Sequence, residues 1–120
     1  MAKQNIIQDK TLSFALNIVA LYKHLCNNGE YILSKQLLRS GTSIGANMRE
    51  SINAQSSNDF ISKANIALKE ANETSYWLEL LYKSSYIDKA TYDNANKDIT
   101  EIIMILTSIV KTTKNNVSNK

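Results

Sequence analysis

Proline is absent from this 120-residue chain, and glycine occurs only at 29, 41 and 45. So few backbone breakers exclude a turn-rich β fold and favour long helices joined by short connections. A single cysteine, Cys26, excludes an intrachain disulfide and suits a reducing compartment. A single histidine, His24, leaves nucleophilic triads and zinc sites without their usual residue, and the Glu-x-x-His pairs of a di-iron bundle are missing. No catalytic, cofactor or metal site is therefore expected, and the chain does not read as an enzyme. Long apolar runs are also missing. The longest is IIMIL at 102–106, and the N-terminal MAKQNIIQDK has no apolar signal core, so a cytoplasmic protein without membrane contact is expected.

What remains has the composition of one globular domain, 1–120, with 43% hydrophobic and 21% charged residues. Hydrophobic periodicity predicts four helices, at about 9–27, 34–53, 57–84 and 88–114, with a frayed tail at 115–120. The turn signal Asn27-Asn28-Gly29 ends the first, and Ser34 is the expected N-cap of the second. The segment SSND at 56–59 caps the third and Asp88 the fourth. Short connections favour antiparallel neighbours, so the fold class is all-α, an up-down four-helix bundle.

Steps of about 100° per residue divide each helix into faces. Helix four shows one apolar stripe, Tyr92-Ala95-Ile99-Ile102-Ile103-Leu106-Ile109-Val110. Helix three buries Phe60, Ala64, Ala67, Leu68, Ala71, Leu78 and Tyr82, with Ile66, Trp77 and Leu80 on its other side. Helix one is apolar twice over: Leu12, Leu16, Val19 and Cys26 form one side, Phe14, Ile18, Leu21 and Leu25 the other. A bundle core needs one face per helix. The surplus, assigned to Phe14, Ile18, Leu21, Leu25, Ile66, Trp77 and Leu80, predicts self-association.

The segment SGTSIGANMRES at 40–51 raises a choice between a phosphate loop and a packing seam. A phosphate loop needs a lysine after its last glycine and a preceding strand, and neither is present. Gly41 and Gly45 fall instead within the apolar face of helix two, among Leu37, Leu38, Ile44, Met48 and Ile52, where bare backbone lets another helix approach. On its other side Gln36, Arg39, Ser43, Asn47 and Glu50 recur at three- and four-residue spacing and form a polar stripe. That stripe is either a solvated face or a polar network at an interface or pore. Arg39 and Glu50 lie about 16 Å apart by helical rise, too far to pair, and Glu73 is the expected partner of Arg39.

These residues resemble the 23S rRNA intervening-sequence proteins, a family of four-helix bundles. Its pattern Y-x-L-x-x-Q-x-x-R-S-x-x-S-I-x-A-N-I-A-E-G is matched by Tyr31, Leu33, Gln36, Arg39, Ser40, Ser43, Ile44, Ala46, Asn47 and Glu50. Ser57, Asp59, Phe60, Ala67 and Glu73 fit the segment that follows, and the resemblance runs from about Asp9 to Val110. Ser51 departs from the usual glycine and Arg49 from the usual alanine, which predicts a different end to helix two and added charge beside the stripe. The resemblance implies a ring-shaped homopentamer around a central channel. Related barrel-shaped proteins are accessory factors of diversity-generating retroelements that bind reverse transcriptase and nucleic acid.

The partners that follow are a second copy of the chain and either RNA or DNA or a nucleic-acid enzyme, the alternative being a protein-binding scaffold. The net charge of +3 permits nucleic-acid contact without requiring it. Lys35, Arg39, Arg49, Lys111 and Lys114 are the candidate phosphate contacts.

Overall fold

The computed structural model describes residues 2–118. Four α-helices make up the fold: α1 (Ala2–Asn27), α2 (Leu33–Ser51), α3 (Ser57–Lys83) and α4 (Lys89–Ser118). The described residues contain no strand and pack into a body of 52 × 21 × 20 Å. Each helix touches its neighbours in sequence, and α4 returns to α1, so the four surround one core.

That core explains the helix boundaries. α1 begins seven residues before its expected start at Asp9, and Ile7 within that added stretch is buried in the core. At the other end of the chain, α4 continues past Lys114 to Ser118, and the expected fray from 115 is helical through that residue. The last two residues of the expected tail lie outside the described residues.

The face assignment of α1 is corrected. Phe14, Ile18 and Leu25 are fully enclosed within the protomer and Leu21 packs against them, so these four form the bundle core and are not available to a second copy. Ile7, Thr11, Phe14, Ile18, Leu21 and Leu25 repeat at alternating intervals of three and four, the seam spacing of packed helices. It is Leu12 and Leu16, on the opposite side, that are exposed. On α3 the same correction applies in part to Trp77, which packs against the core edge. Leu81, one residue after the expected outward Leu80, is wholly buried.

The connections are built by hydrogen bonds that local rules read only in part. After α1 the Glu30 N–H donates to the Leu25 carbonyl (2.9 Å) and the Gly29 N–H to that of Cys26 (3.0 Å), with Gly29 at φ +86°. This is a Schellman ending with glycine at its left-handed position. After α3 the same pattern recurs with Ser85 at φ 69°, where no glycine announced it.

Ser34 does not cap α2; it lies inside the helix, wholly buried, its hydroxyl donating to the Glu30 carbonyl at 2.8 Å. The cap is the Glu30 carboxylate, which accepts from the backbone N–H groups of Ile32 (3.2 Å), Leu33 (2.9 Å) and Ser34 (2.6 Å). Burial pushes the Glu30 carboxyl up, but those hydrogen bonds outweigh it and hold the group below its ordinary value. Ser56 and Asp88 cap α3 and α4 through the N–H groups of Asp59 and Thr91.

Candidate interaction surfaces

Two faces of the bundle carry the residues singled out by the sequence, and α2 contributes to both. On the first, α2 crosses α1 at Gly41 and Gly45. A Cβ at Gly41 would stand 3.0 Å from two side-chain carbons of Ile18, and one at Gly45 would stand 3.3 Å from the Thr11 side chain. The helices meet closely here, and most tightly at Gly41. Outside this seam runs a groove of about 230 Å³, lined by Gln8, Leu12, Ala15, Thr42, Ala46 and Arg49. Of its lining, Ala15 and Thr42 are half-buried, and Leu12, Ala46 and Arg49 are exposed.

On the second face, α2 meets α3. Arg39 reaches across to two carboxylates, Glu70 at 3.0 Å and Glu73 in closer contact, and its Nε donates to Gln36 Oε1 at 3.5 Å. Glu73 also accepts from the Trp77 indole N–H at 3.0 Å, so one carboxylate joins the arginine to an aromatic side chain. Ser43 and Asn47 donate to backbone carbonyls one turn back, those of Arg39 and Ser43. Glu50 lies 3.5 Å from Lys63.

Within the protomer the stripe is therefore a half-open polar seam, with Arg39 48% exposed. Substituting Arg39 with alanine should cost a lone protomer no more than about 1 kcal/mol, because the pair is solvent-screened. Urea melts at low protein concentration, with Lys69→Ala as the control, measure it; a loss of several kcal/mol would mean that the guanidinium is buried by another chain.

Sequence reasoning missed the polar contact beneath this seam. Thr74 Oγ1 donates to Ser40 Oγ at 2.9 Å, with both residues wholly buried between α2 and α3. The only signal was two hydroxyl residues on otherwise apolar faces. It also missed Glu70, which shares Arg39 with Glu73.

Beside the polar seam, α3 carries Ile66, Tyr76, Trp77 and Leu80. Ile66 and Tyr76 are exposed, Trp77 and Leu80 half-buried, and the two aromatic rings meet edge-to-face at 5.1 Å. The expected ending of α2 is altered as well. Ser51 is buried and closes the helix, its hydroxyl donating to the Met48 carbonyl, which also accepts from Gln8.

The five candidate phosphate contacts do not form one patch. Arg39 is engaged by two carboxylates, and Lys35 sits almost the length of α2 away from Arg49. Arg49, Lys111 and Lys114 are exposed and have no ion-pair partner among the described residues. Ser51, Phe60 and Thr113 line a common cavity, so the last turns of α2 and α4 share one end of the bundle. Among the described residues no cluster of three metal-ligating side chains occurs, and no helix is long and apolar enough to cross a membrane.

Comparison with known proteins follows the same outline. The family described as 23S rRNA-intervening sequence protein matches residues 3–108. A crystal structure from Bacteroides thetaiotaomicron, described as a protein with unknown function from the S23 ribosomal protein family, is 59% identical, with a TM-score of 0.89. The match covers 91% of this chain and 98% of that one. No curated protein matches the chain.

Proposed function

The chain belongs to the 23S rRNA-intervening sequence protein family, and on that premise we propose that it is a non-enzymatic, self-associating accessory protein that contacts nucleic acid. The proposed architecture is an antiparallel up-down bundle assembled as a ring-shaped homopentamer in the cytoplasm. The pairs Arg39–Glu73 and Glu50–Lys63 support the antiparallel arrangement of α2 and α3, since an advance along one helix accompanies a retreat along the other.

The observation that carries nucleic-acid contact is that Arg49, Lys111 and Lys114, towards the C-terminal ends of α2 and α4, are exposed and form no ion pair among the described residues. Lysines and arginines already paired with carboxylates have little to offer a phosphate. Five copies would repeat the group around one rim, and the net charge of +3 per chain would sum to roughly +15.

Mobility shifts with single-stranded and duplex RNA test the reading. Affinity should fall by at least tenfold between about 50 and 200 mM salt, as expected when several phosphates are neutralised, and Lys111→Glu with Lys114→Glu should abolish the shift. No retardation at low salt would favour a protein partner instead.

A further inference from the structure

The interface between α1 and α4 is the sparsest of the four, and it leaves space. A cavity of about 300 Å³ opens between the two helices, its apolar side formed by Phe14, Ile18, Leu21 and Ala95. A smaller cavity of about 100 Å³ continues it and shares Phe14 and Asp98 with it. Together they make one cleft, from Leu21 and Thr91 at one end to Lys10 and Ile102 at the other. We infer that this cleft binds a small organic cation, an amine on a compact apolar body, whose ammonium group is held by Asp98. Neither self-association nor nucleic-acid contact is needed for it.

Charge identifies the ligand. Of the 11 Asp and Glu side chains in the sequence, nine are engaged in ion pairs or hydrogen bonds to backbone N–H groups. Asp9 and Asp98 have neither kind of partner among the described residues. Asp9 is exposed and lines no part of the cleft, whereas Asp98 is half-buried and lines both of its cavities. Lys10 lines the smaller cavity too, but its ammonium is held by Glu101 at 2.7 Å, and the charge of Asp98 acts on it only weakly. A carboxylate partly withdrawn from water and without a counter-ion favours the arrival of a cation. It disfavours an anion for the same reason.

The polar groups around Asp98 suit an ammonium ion. Asn94 and Asp98 stand one turn apart on the same face of α4, and Asn17 lines the same cavity from α1. Neither asparagine side chain makes a hydrogen bond among the described residues. One carboxylate and two amide carbonyls thus offer acceptors for the three N–H donors of a primary ammonium group. The apolar side of the cleft receives the body that carries it.

Shape selects a small ligand over a chain. The Lys10–Glu101 ion pair joins α1 to α4 at one end of the cleft, so a peptide laid along the interface would have to displace it. At the other end, Thr91 also lines a wider space of about 490 Å³ beside His24, Tyr86 and Asp88, which provides an entrance. The larger cavity of the cleft lies at the lower end of the range of ligand pockets, about 300 to 1,000 Å³, and a mostly apolar wall with a few polar groups is their usual composition.

Calorimetric titration of the whole chain with butylamine, 2-phenylethylamine and 1,4-diaminobutane, each at neutral pH and fixed salt, tests the site. At least one of these amines should bind saturably, and its matching alcohol should bind far more weakly. Asp98→Asn keeps the side-chain shape and should weaken that amine by about tenfold or more, the loss of a charge-assisted hydrogen bond. Asp9→Asn, at the other unpaired acid, should leave the affinity unchanged. Circular dichroism verifies that both variants fold, and amide NMR shifts on titration should centre on Asn17, Asn94 and Asp98. Absence of saturable binding by all three amines overturns the proposal. So does an amine affinity that survives Asp98→Asn, an alcohol that binds equally well, or shifts centred on another face of the bundle.

Discussion

Replacing Gly41 with leucine is expected to destabilise the bundle by about 3 kcal/mol and lower its thermal midpoint by roughly 10 °C. Even a Cβ at this position stands 3.0 Å from Ile18 Cγ1 and Cγ2, so a methyl group already forces a shift. Ile18 cannot retreat, because it is only 1% exposed and is enclosed by the core. Leucine would add three further carbons, and the helices could accommodate them only by separating along a seam that also includes Gly45 and Thr11. Gly41→Ala should show a smaller loss of the same sign. Calorimetry or a dichroism melt at several protein concentrations distinguishes a protomer effect from a change in assembly. An unchanged midpoint for Gly41→Leu would mean that α1 and α2 are not held at this distance in solution.

The second large effect is expected at Glu30. Its carboxylate satisfies three N–H donors at the start of α2, those of Ile32, Leu33 and Ser34, while the residue is only 7% exposed. Glu30→Ala should cost about 2 kcal/mol, the loss of a cap combined with donors left unpaired in a sheltered place.

The carboxyl is held below its ordinary value of 4.5, so the folded state binds its proton less readily than the unfolded chain does. Its stabilisation is therefore fully present above that value and is lost as pH falls through the lower, folded-state value. Urea melts of parent and variant should differ most at neutral pH and converge in acid. A gap that stays constant into strong acid would assign the effect to packing instead of the charged cap.

The contrast between these two positions shows what was legible in the sequence. Gly41 and Gly45 could be read because a glycine among large apolar residues on one helical face has few explanations other than close approach. Glu30 could not, since capping rules look for a short polar side chain at the helix boundary, whereas this longer one reaches forward from the preceding turn. The four helices followed from periodicity, but periodicity could not tell which apolar side of α1 faces inward. Phe14 with Ile18 and Leu12 with Leu16 have equal claim on a helical wheel, and the choice is made by the register against α2, where Gly41 leaves room for Ile18. The Ser40–Thr74 bond escaped notice for the same reason. It depends on the alignment of two helices, a property that neither helix carries alone. The pairing of Arg39 with Glu73 was foreseen from the hairpin, but the sharing with Glu70 needed the actual rotation of α3.

The order of neighbours around the core has a kinetic consequence. Three of the four helix interfaces join segments consecutive in sequence, and only the contact between α1 and α4 spans the chain. Most native contacts can thus form across short connections with little loss of chain entropy, which places folding in the fast class, roughly microseconds to milliseconds. The α1–α4 closure joins groups as distant as Lys10 and Glu101 and carries the largest entropic cost, so it belongs late on the pathway. Substitutions there act chiefly on the rate of unfolding, whereas those at the α2–α3 hairpin act on the rate of folding. The α1–α4 interface thus closes a structure already assembled from its hairpins.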